Sequence, residues 1–314
     1  MLSRRDKGER YSSSNLYLFA SFILAQLNHL RATEEWTNLM LVEQPRAYLR
    51  YAYEQHFAMP AFNVCNLEMA KAVVEAAIIE RAPVIVQTYP GDLDHAAFGA
   101  GLGLLPGLIK ALAAEAPVPI FLHLDHGPGF DFNLRCLQAG YSSVMFDGHQ
   151  LPIAEALAET AAIARMAHAL NAAVEGELGT FGGDQGSQEF TTPDEVPLMF
   201  EQGQVDMLAV SVGSEHGQSS RLQLDLLQAI ADKAQGPLVI HGGSGIHEDD
   251  VRAAVQLGVV KINIGAALSR AWCQGSREAL DVNQGHYGVL KTAMGRVREV
   301  AQHRLRLMGA SGMA

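Results

Sequence analysis

Ala61-Phe62-Asn63-Val64-Cys65-Asn66 joins the first strand-like run of this chain to its first helix-like stretch, and it contains no glycine. An open, doubly wound sheet usually places a Gly-rich dinucleotide loop at such an early strand–helix junction. Without one, a closed barrel of parallel strands becomes the better expectation. The rest of the chain agrees. Strand-like runs recur at 61–64, 84–88, 120–125, 143–147, 173–178, 207–212, 238–241 and 259–264. Most are continuously apolar, as strands covered on both faces must be. Between them lie Ala-, Leu- and Glu-rich stretches of helical length, such as 69–81, 152–170 and 222–234. Ala82-Pro83, Gly140, Gly236-Pro237 and Gly258 punctuate the boundaries, and Asp249 and Asp250 favour the first turn of a helix. Eight such units over about 250 residues predict a single (β/α)8 barrel, with residues 41–310 as its domain. The mixed Arg and Leu/Val pattern at 288–308 predicts the closing helix.

Residues 1–40 form an extension outside that pattern. Arg4, Arg5, Lys7 and Arg10 precede an apolar run at 16–27, a leader-like order, but the cleavage site is poor and a surface helix or an added tail is preferred. No segment is long and apolar enough to span a bilayer. With 48% hydrophobic residues among 314, a large core is expected. A net charge of −11 without a basic cluster disfavours nucleic acid as a partner. Cys65, Cys136 and Cys273 are far apart in sequence, the pattern of reduced thiols in a cytoplasmic protein.

Four motifs fall at strand ends: His123-Leu124-Asp125-His126, Glu175-Gly176-Glu177, Glu215-His216-Gly217 and His241-Gly242-Gly243-Ser244-Gly245. A barrel gathers its C-terminal strand ends around one mouth, so imidazoles and carboxylates from distant segments meet there. That donor mixture is what a catalytic zinc needs, with one position left open. The strand pleat puts His123 and Asp125 on one face, and likewise Glu175 and Glu177. A buried Glu requires a metal or a lysine beside it. The glycine loop after strand seven and Asn263-Ile264-Gly265-Ala266 after strand eight are placed to bind phosphate through backbone amides. His95, His149, His168 and His247 have no such company and read as surface residues.

Together these motifs resemble the zinc-dependent class II fructose-bisphosphate/tagatose-bisphosphate aldolases, from about Leu41 to Met308. The resemblance also rests on Pro60 to Val64 with Asn66-Leu67-Glu68, Ser143 to Asp147, and Lys261-Ile262-Asn263. It implies that His126, His216 and His241 hold zinc, and that Asp125 moves the proton on the C4 hydroxyl of a ketose phosphate. It implies a second or alternative metal site at Asp147 and Glu177, and room for a monovalent cation. Gly217, Gly242, Gly243, Ser244, Asn263, Ile264, Gly265 and Ala266, with Asn63, match positions that hold the dihydroxyacetone-phosphate portion. The implied activity is reversible cleavage of a ketose phosphate to dihydroxyacetone phosphate and an aldehyde, by a homodimer or homotetramer.

The chain departs from the pattern in places. Gly182-Gly183 is followed by Asp184 and Gln185, where relatives carry a loop Glu that exchanges the C1 proton; Asp184 or Glu189 is left to substitute. Tyr89 and Ala266 replace small hydroxyl residues, and Asp281-Val282-Asn283 stands in place of Asp-Pro-Arg, with Arg221 as a compensating charge. These changes keep open an alternative: an aldolase-like barrel that binds a sugar phosphate without efficient turnover. A barrel hydrolase fits less well, since Asn63 and Asn66 occupy the positions where such sites commonly carry His-x-His.

Overall fold

The computed structural model describes residues 44–96, 102–180, 189–215 and 217–314. The extension, the Gly182–Gln185 motif and His216 therefore lie outside the described residues. Eight parallel strands close into a barrel in sequence order: β1 (Met59–Asn63), β2 (Val84–Thr88), β3 (Ile120–Gly127), β4 (Ser143–Phe146), β5 (Ala173–Leu178), β6 (Met207–Val210), β7 (Leu238–Ile240) and β8 (Val259–Ile264). Closure is made by β1 against β8, with Met59 beside Lys261 and Phe62 beside Ile264. The helices are α1 (Pro45–Glu54), α2 (Leu67–Glu80), α3 (Pro90–Ala96), α4 (Leu104–Ala114), α5 (Phe130–Gln138), α6 (Ile153–Ala169), α7 (Val196–Glu201), α8 (Leu224–Ala231), α9 (Glu248–Gln256), α10 (Ala266–Asp281) and α11 (His286–Leu307).

Strand residues explain the closure. Val84, Val86, Ile120, Leu122, Leu124, Val144, Val174, Leu208, Val239 and Ile262 are all buried. Each such side chain contributes about 1.5–3 kcal/mol relative to exposure. Asn66, one residue before α2, accepts a hydrogen bond from Met69 N at 2.8 Å. It caps the helix and satisfies one of the first-turn amides. Glu248, Asp249 and Asp250 fill the first turn of α9, as the macrodipole favours. Before β1, α1 packs Tyr48 edge-on against Phe121 at 5.4 Å, near the start of β3, so it lies against the end of the barrel opposite the strand-end motifs. The closing helix α11 lies along α10 and α2. Arg306, Gln302 and Ser311 all donate to Glu80 at the end of α2.

Candidate active site

The decisive local feature is at the end of β3. Consecutive residues of a regular strand point to opposite faces, so Asp125 and His126 should not share the mouth. Two irregularities bring them together. The register with β4 shifts between Leu124 and Gly127, and His126 adopts φ +51°, a left-handed conformation. This costs a non-glycine residue on the order of 1–2 kcal/mol. In return, donor atoms of Asp125, His126 and His241 lie within 4.8 Å of one another. The rings of His126 and His241 stand 5.0 Å apart at 75°.

Asp125 is almost fully buried, and amides surround it. Asn63 Nδ2 donates to Oδ2 at 2.9 Å, Gln87 Nε2 to the same oxygen at 3.2 Å, and Asn263 Nδ2 to Oδ1 at 3.0 Å. Burial alone would raise its pKa. The charges of His126, His241 and Lys261, with the Asn63 amide, win and hold it at about 2. Asp125 is therefore ionised at neutral pH. Asn63 also accepts from Gln87 at 2.9 Å, so its side chain links Gln87 to Asp125. Gln87 is a site residue that the sequence reading missed.

A second cluster extends from His126. Its Nδ1 lies 2.9 Å from Asp147 Oδ2, and Asp147 also bonds to His149. His126, Asp147 and Glu177 each place a donor atom within 4.8 Å of the others. Glu177 Oε2 is buried without a hydrogen-bond partner. Burial raises the Glu177 carboxyl to about 8, and the nearby charges of Asp147, Glu175 and Asp125 add to this against the opposing His126. His126, although desolvated, is held up at about 10 by Asp125, Asp147 and Glu177. One imidazole among so many carboxyl groups, and an orphaned carboxylate oxygen, fit a divalent cation bound by nitrogen and oxygen.

Glu175 lies deeper than Glu177 on the same face of β5. Its partner is the lysine that a buried carboxylate demands: Lys261 Nζ stands 2.8 Å from Oε2. His241 Nε2 lies 2.8 Å from Oε1. His123 lies between Ser143 Oγ at 2.7 Å and Glu175 at 3.3 Å, a wall of the barrel interior. Burial lowers His241 to about 4, so its imidazole is neutral.

The glycine loops meet above this layer. Gly242 and Gly217 have φ +68° and +75°. A Cβ on Gly243 would lie 2.2 Å from Ile262 Cγ2, and one on Gly245 would lie 1.6 Å from Gln218 O. The backbones after β6, β7 and β8 thus touch directly. Ser244 Oγ accepts from Ala267 N at 3.0 Å, in the first turn of α10, and Gly243 N donates to Asn263 O at 3.0 Å. Gly265 would meet Asn63 Oδ1 at 3.2 Å if it carried a Cβ. The side chain of Ile264 is buried in the core, so it can meet a ligand only through its backbone.

Other sequence expectations resolve differently. Arg221 pairs with Asp250 at 2.9 Å while its side chain stays largely exposed. His168 pairs with Asp206 at 2.9 Å and is half-buried, whereas His149 is a surface residue as expected, though it meets Asp147. Glu189 pairs with Thr180 across an antiparallel bridge at the edge of a cleft of about 200 Å³ that also reaches Glu177. Tyr89 is exposed just after β2. A wider depression of about 400 Å³ lies between α10 and α11, behind Ser244. Among the described residues, no helix is long and apolar enough to cross a membrane.

Comparison with known proteins agrees with the barrel fold. The family model for class II fructose-bisphosphate aldolase matches residues 43–313. A fructose-bisphosphate aldolase from Streptococcus pyogenes serotype M1 is 35% identical over 249 residues, 76% of this chain and 84% of that protein. One from Mycoplasma pneumoniae is 37% identical over 245 residues, 75% of this chain and 84% of that protein. Among solved structures, the YdjI aldolase from Escherichia coli K12 superposes with TM-score 0.78 at 29% identity, covering 86% of this chain and 98% of that one. A putative fructose-1,6-biphosphate aldolase from Coccidioides immitis gives TM-score 0.78 at 25% identity, covering 86% and 97%. The chain belongs to the class II fructose-bisphosphate aldolase family and is an aldolase, a carbon–carbon lyase.

Proposed function

We propose that this aldolase reversibly cleaves a ketose phosphate to dihydroxyacetone phosphate and an aldehyde, with a divalent metal held by His126, His241 and His216. The observation that carries this reading is the buried carboxyl group of Asp125, held by three amide donors and set beside His126 and His241. Zinc, when bound, polarises the ketone oxygen and stabilises the negative charge left by carbon–carbon cleavage. Asp125 takes the proton of the C4 hydroxyl as the bond breaks and returns it in condensation. Three amide donors fix its carboxylate, so little reorganisation is needed when the proton moves. Asp147 and Glu177 are the residues for a second or alternative divalent ion, and a monovalent cation is a further candidate cofactor.

Gly217, Gly242, Ser244, Gly265 and Ala266, with the N-terminus of α10, hold the phosphate. Gly243 supports them by bonding Asn263 O, and Asn63 and Asn263 act through Asp125. The enzyme is read as a cytoplasmic homodimer or homotetramer. A barrel that binds without turnover is not favoured, because the Asp125 carboxyl group and the imidazoles of His126 and His241 come together. The test is a panel of ketose 1-phosphates and 1,6-bisphosphates assayed with metal-stripped protein, with and without Zn2+. Release of dihydroxyacetone phosphate from at least one member, only with metal, is expected. Tight binding of dihydroxyacetone phosphate with no cleavage of any member would refute the reading.

A further inference from the structure

A continuous line of buried polar contacts runs beneath the candidate metal site, through side chains of β3, β5 and β8 and the His241 that follows β7. His241 Nε2 lies 2.8 Å from Glu175 Oε1, and Lys261 Nζ lies 2.8 Å from Glu175 Oε2. Lys261 also donates to Asn263 Oδ1 at 2.6 Å, and Asn263 Nδ2 donates to Asp125 Oδ1 at 3.0 Å. Lys261, Glu175 and His241 are fully buried. We propose that Lys261 is a positioning residue for the aldolase reaction, fixing Glu175 against His241 on one side and Asn263 against Asp125 on the other. The inference rests on the metal and acid/base roles proposed above.

Each arm follows from donor and acceptor chemistry. A carboxylate only accepts, so Glu175 fixes His241 as the tautomer with its proton on Nε2, which makes Nδ1 the acceptor nitrogen of the ring, the kind of atom a metal takes. An ammonium only donates, so Lys261 requires the oxygen of Asn263 to face it. The amide nitrogen of Asn263 then faces Asp125. Were Asn263 flipped, its oxygen would oppose the carboxylate, and Asp125 would lose one of its three amide donors. Stability gives no reason for the ion pair, because apolar residues of similar volume hold a core together as well or better. Its geometry, reaching a metal-ligating imidazole and the acid/base carboxylate at once, does.

The experiment compares wild type, Lys261→Met and the double variant Lys261→Met/Glu175→Gln. Zn2+ affinity is read by competition with a chromogenic chelator, kcat and KM at saturating metal, and Tm after metal removal. Lys261→Met is expected to weaken Zn2+ binding about 10- to 100-fold, as disturbing the partner that orients a metal ligand does. It is also expected to lower kcat at least as much as it changes KM. The double variant removes both buried charges; it should recover Tm while its kcat and Zn2+ affinity stay low. A merely structural lysine predicts that Lys261→Met lowers Tm while Zn2+ affinity and kcat of the folded protein stay at wild-type values, and that result overturns the proposal. Failure of the double variant to fold overturns it as well, because the network would then be holding the barrel together. Wild-type protein that binds no Zn2+ refutes the metal reading itself. Wild-type binding matched by an unchanged Lys261→Met refutes only the role of Lys261.

Discussion

His126 and His241, from opposite sides of the barrel wall, meet edge to face with ring centroids 5.0 Å apart. Only a left-handed residue at the β3 bulge allows this, since Asp125 already occupies the inward position of the regular strand. The proposed chemistry depends on that meeting.

Asp125→Asn should retain metal, because the side chain keeps its shape and Asp125 is not proposed as a ligand. The base is lost, and kcat should fall by about 10²–10⁴. Steady-state kinetics at saturating Zn2+, with metal content measured on the same sample, checks this. Loss of metal together with activity would make Asp125 a ligand instead.

Glu177→Gln should act in opposite directions with and without metal. In metal-stripped protein it removes a buried carboxyl set among carboxylates, with an oxygen that has no hydrogen-bond partner, and should stabilise the fold by roughly 1–3 kcal/mol. At about 2–4 °C per kcal/mol, the shift in Tm is readily measured. In protein loaded with divalent metal, the gain in Tm on loading should shrink. A variant whose stripped protein melts lower than wild type would contradict the account.

Gly243→Ala tests the loop contact. Its Cβ would collide with Ile262 Cγ2 at 2.2 Å, costing about 1–3 kcal/mol. KM for a phosphorylated substrate should rise more than kcat falls. Gly295→Ala, on α11 where a Cβ meets nothing within 4 Å, serves as the contrast and should stabilise by roughly 0.5–1 kcal/mol. Equal effects from the two would remove the packing argument.

The seam between α2 and α11 carries a pH dependence. Hydrogen bonding by Arg306 holds Glu80 below its usual pKa, with Ser311 and Gln302 assisting. A carboxylate lowered in the folded state stabilises above its unfolded pKa, about 4.3, and loses that contribution as pH falls through the folded value. Since Arg306 is largely exposed, the contribution is about 1 kcal/mol or less. Urea denaturation should show Glu80→Gln less stable than wild type at neutral pH. The two should converge in acid; a gap that persists there would argue for packing rather than charge.

Much of this was legible beforehand. The apolar run 84–88 coincides with β2, because a strand buried on both faces has little freedom in composition, and the strand-like run 173–178 coincides with β5. The stretch 222–234 shortened to Leu224–Ala231, since Leu222 N is drawn to Asp250 and Gln223 N to Val212 O. The need for a lysine beside a buried Glu was readable, but not that Lys261 supplies it. That pairing depends on the register between strands, which local pattern does not encode. Gln87 escaped notice because a single amide in Val84–Thr88 looks like a strand ending. The bulge at His126 also left no composition signal: no glycine or proline occupies the left-handed position itself.

The most direct test is calorimetric titration of metal-stripped protein with Zn2+, using wild type, His126→Ala and His241→Ala. One tight site per chain in wild type, weakened by orders of magnitude in each variant, is the predicted result. Either variant binding Zn2+ as tightly as wild type would contradict the convergence of these two imidazoles on one cation.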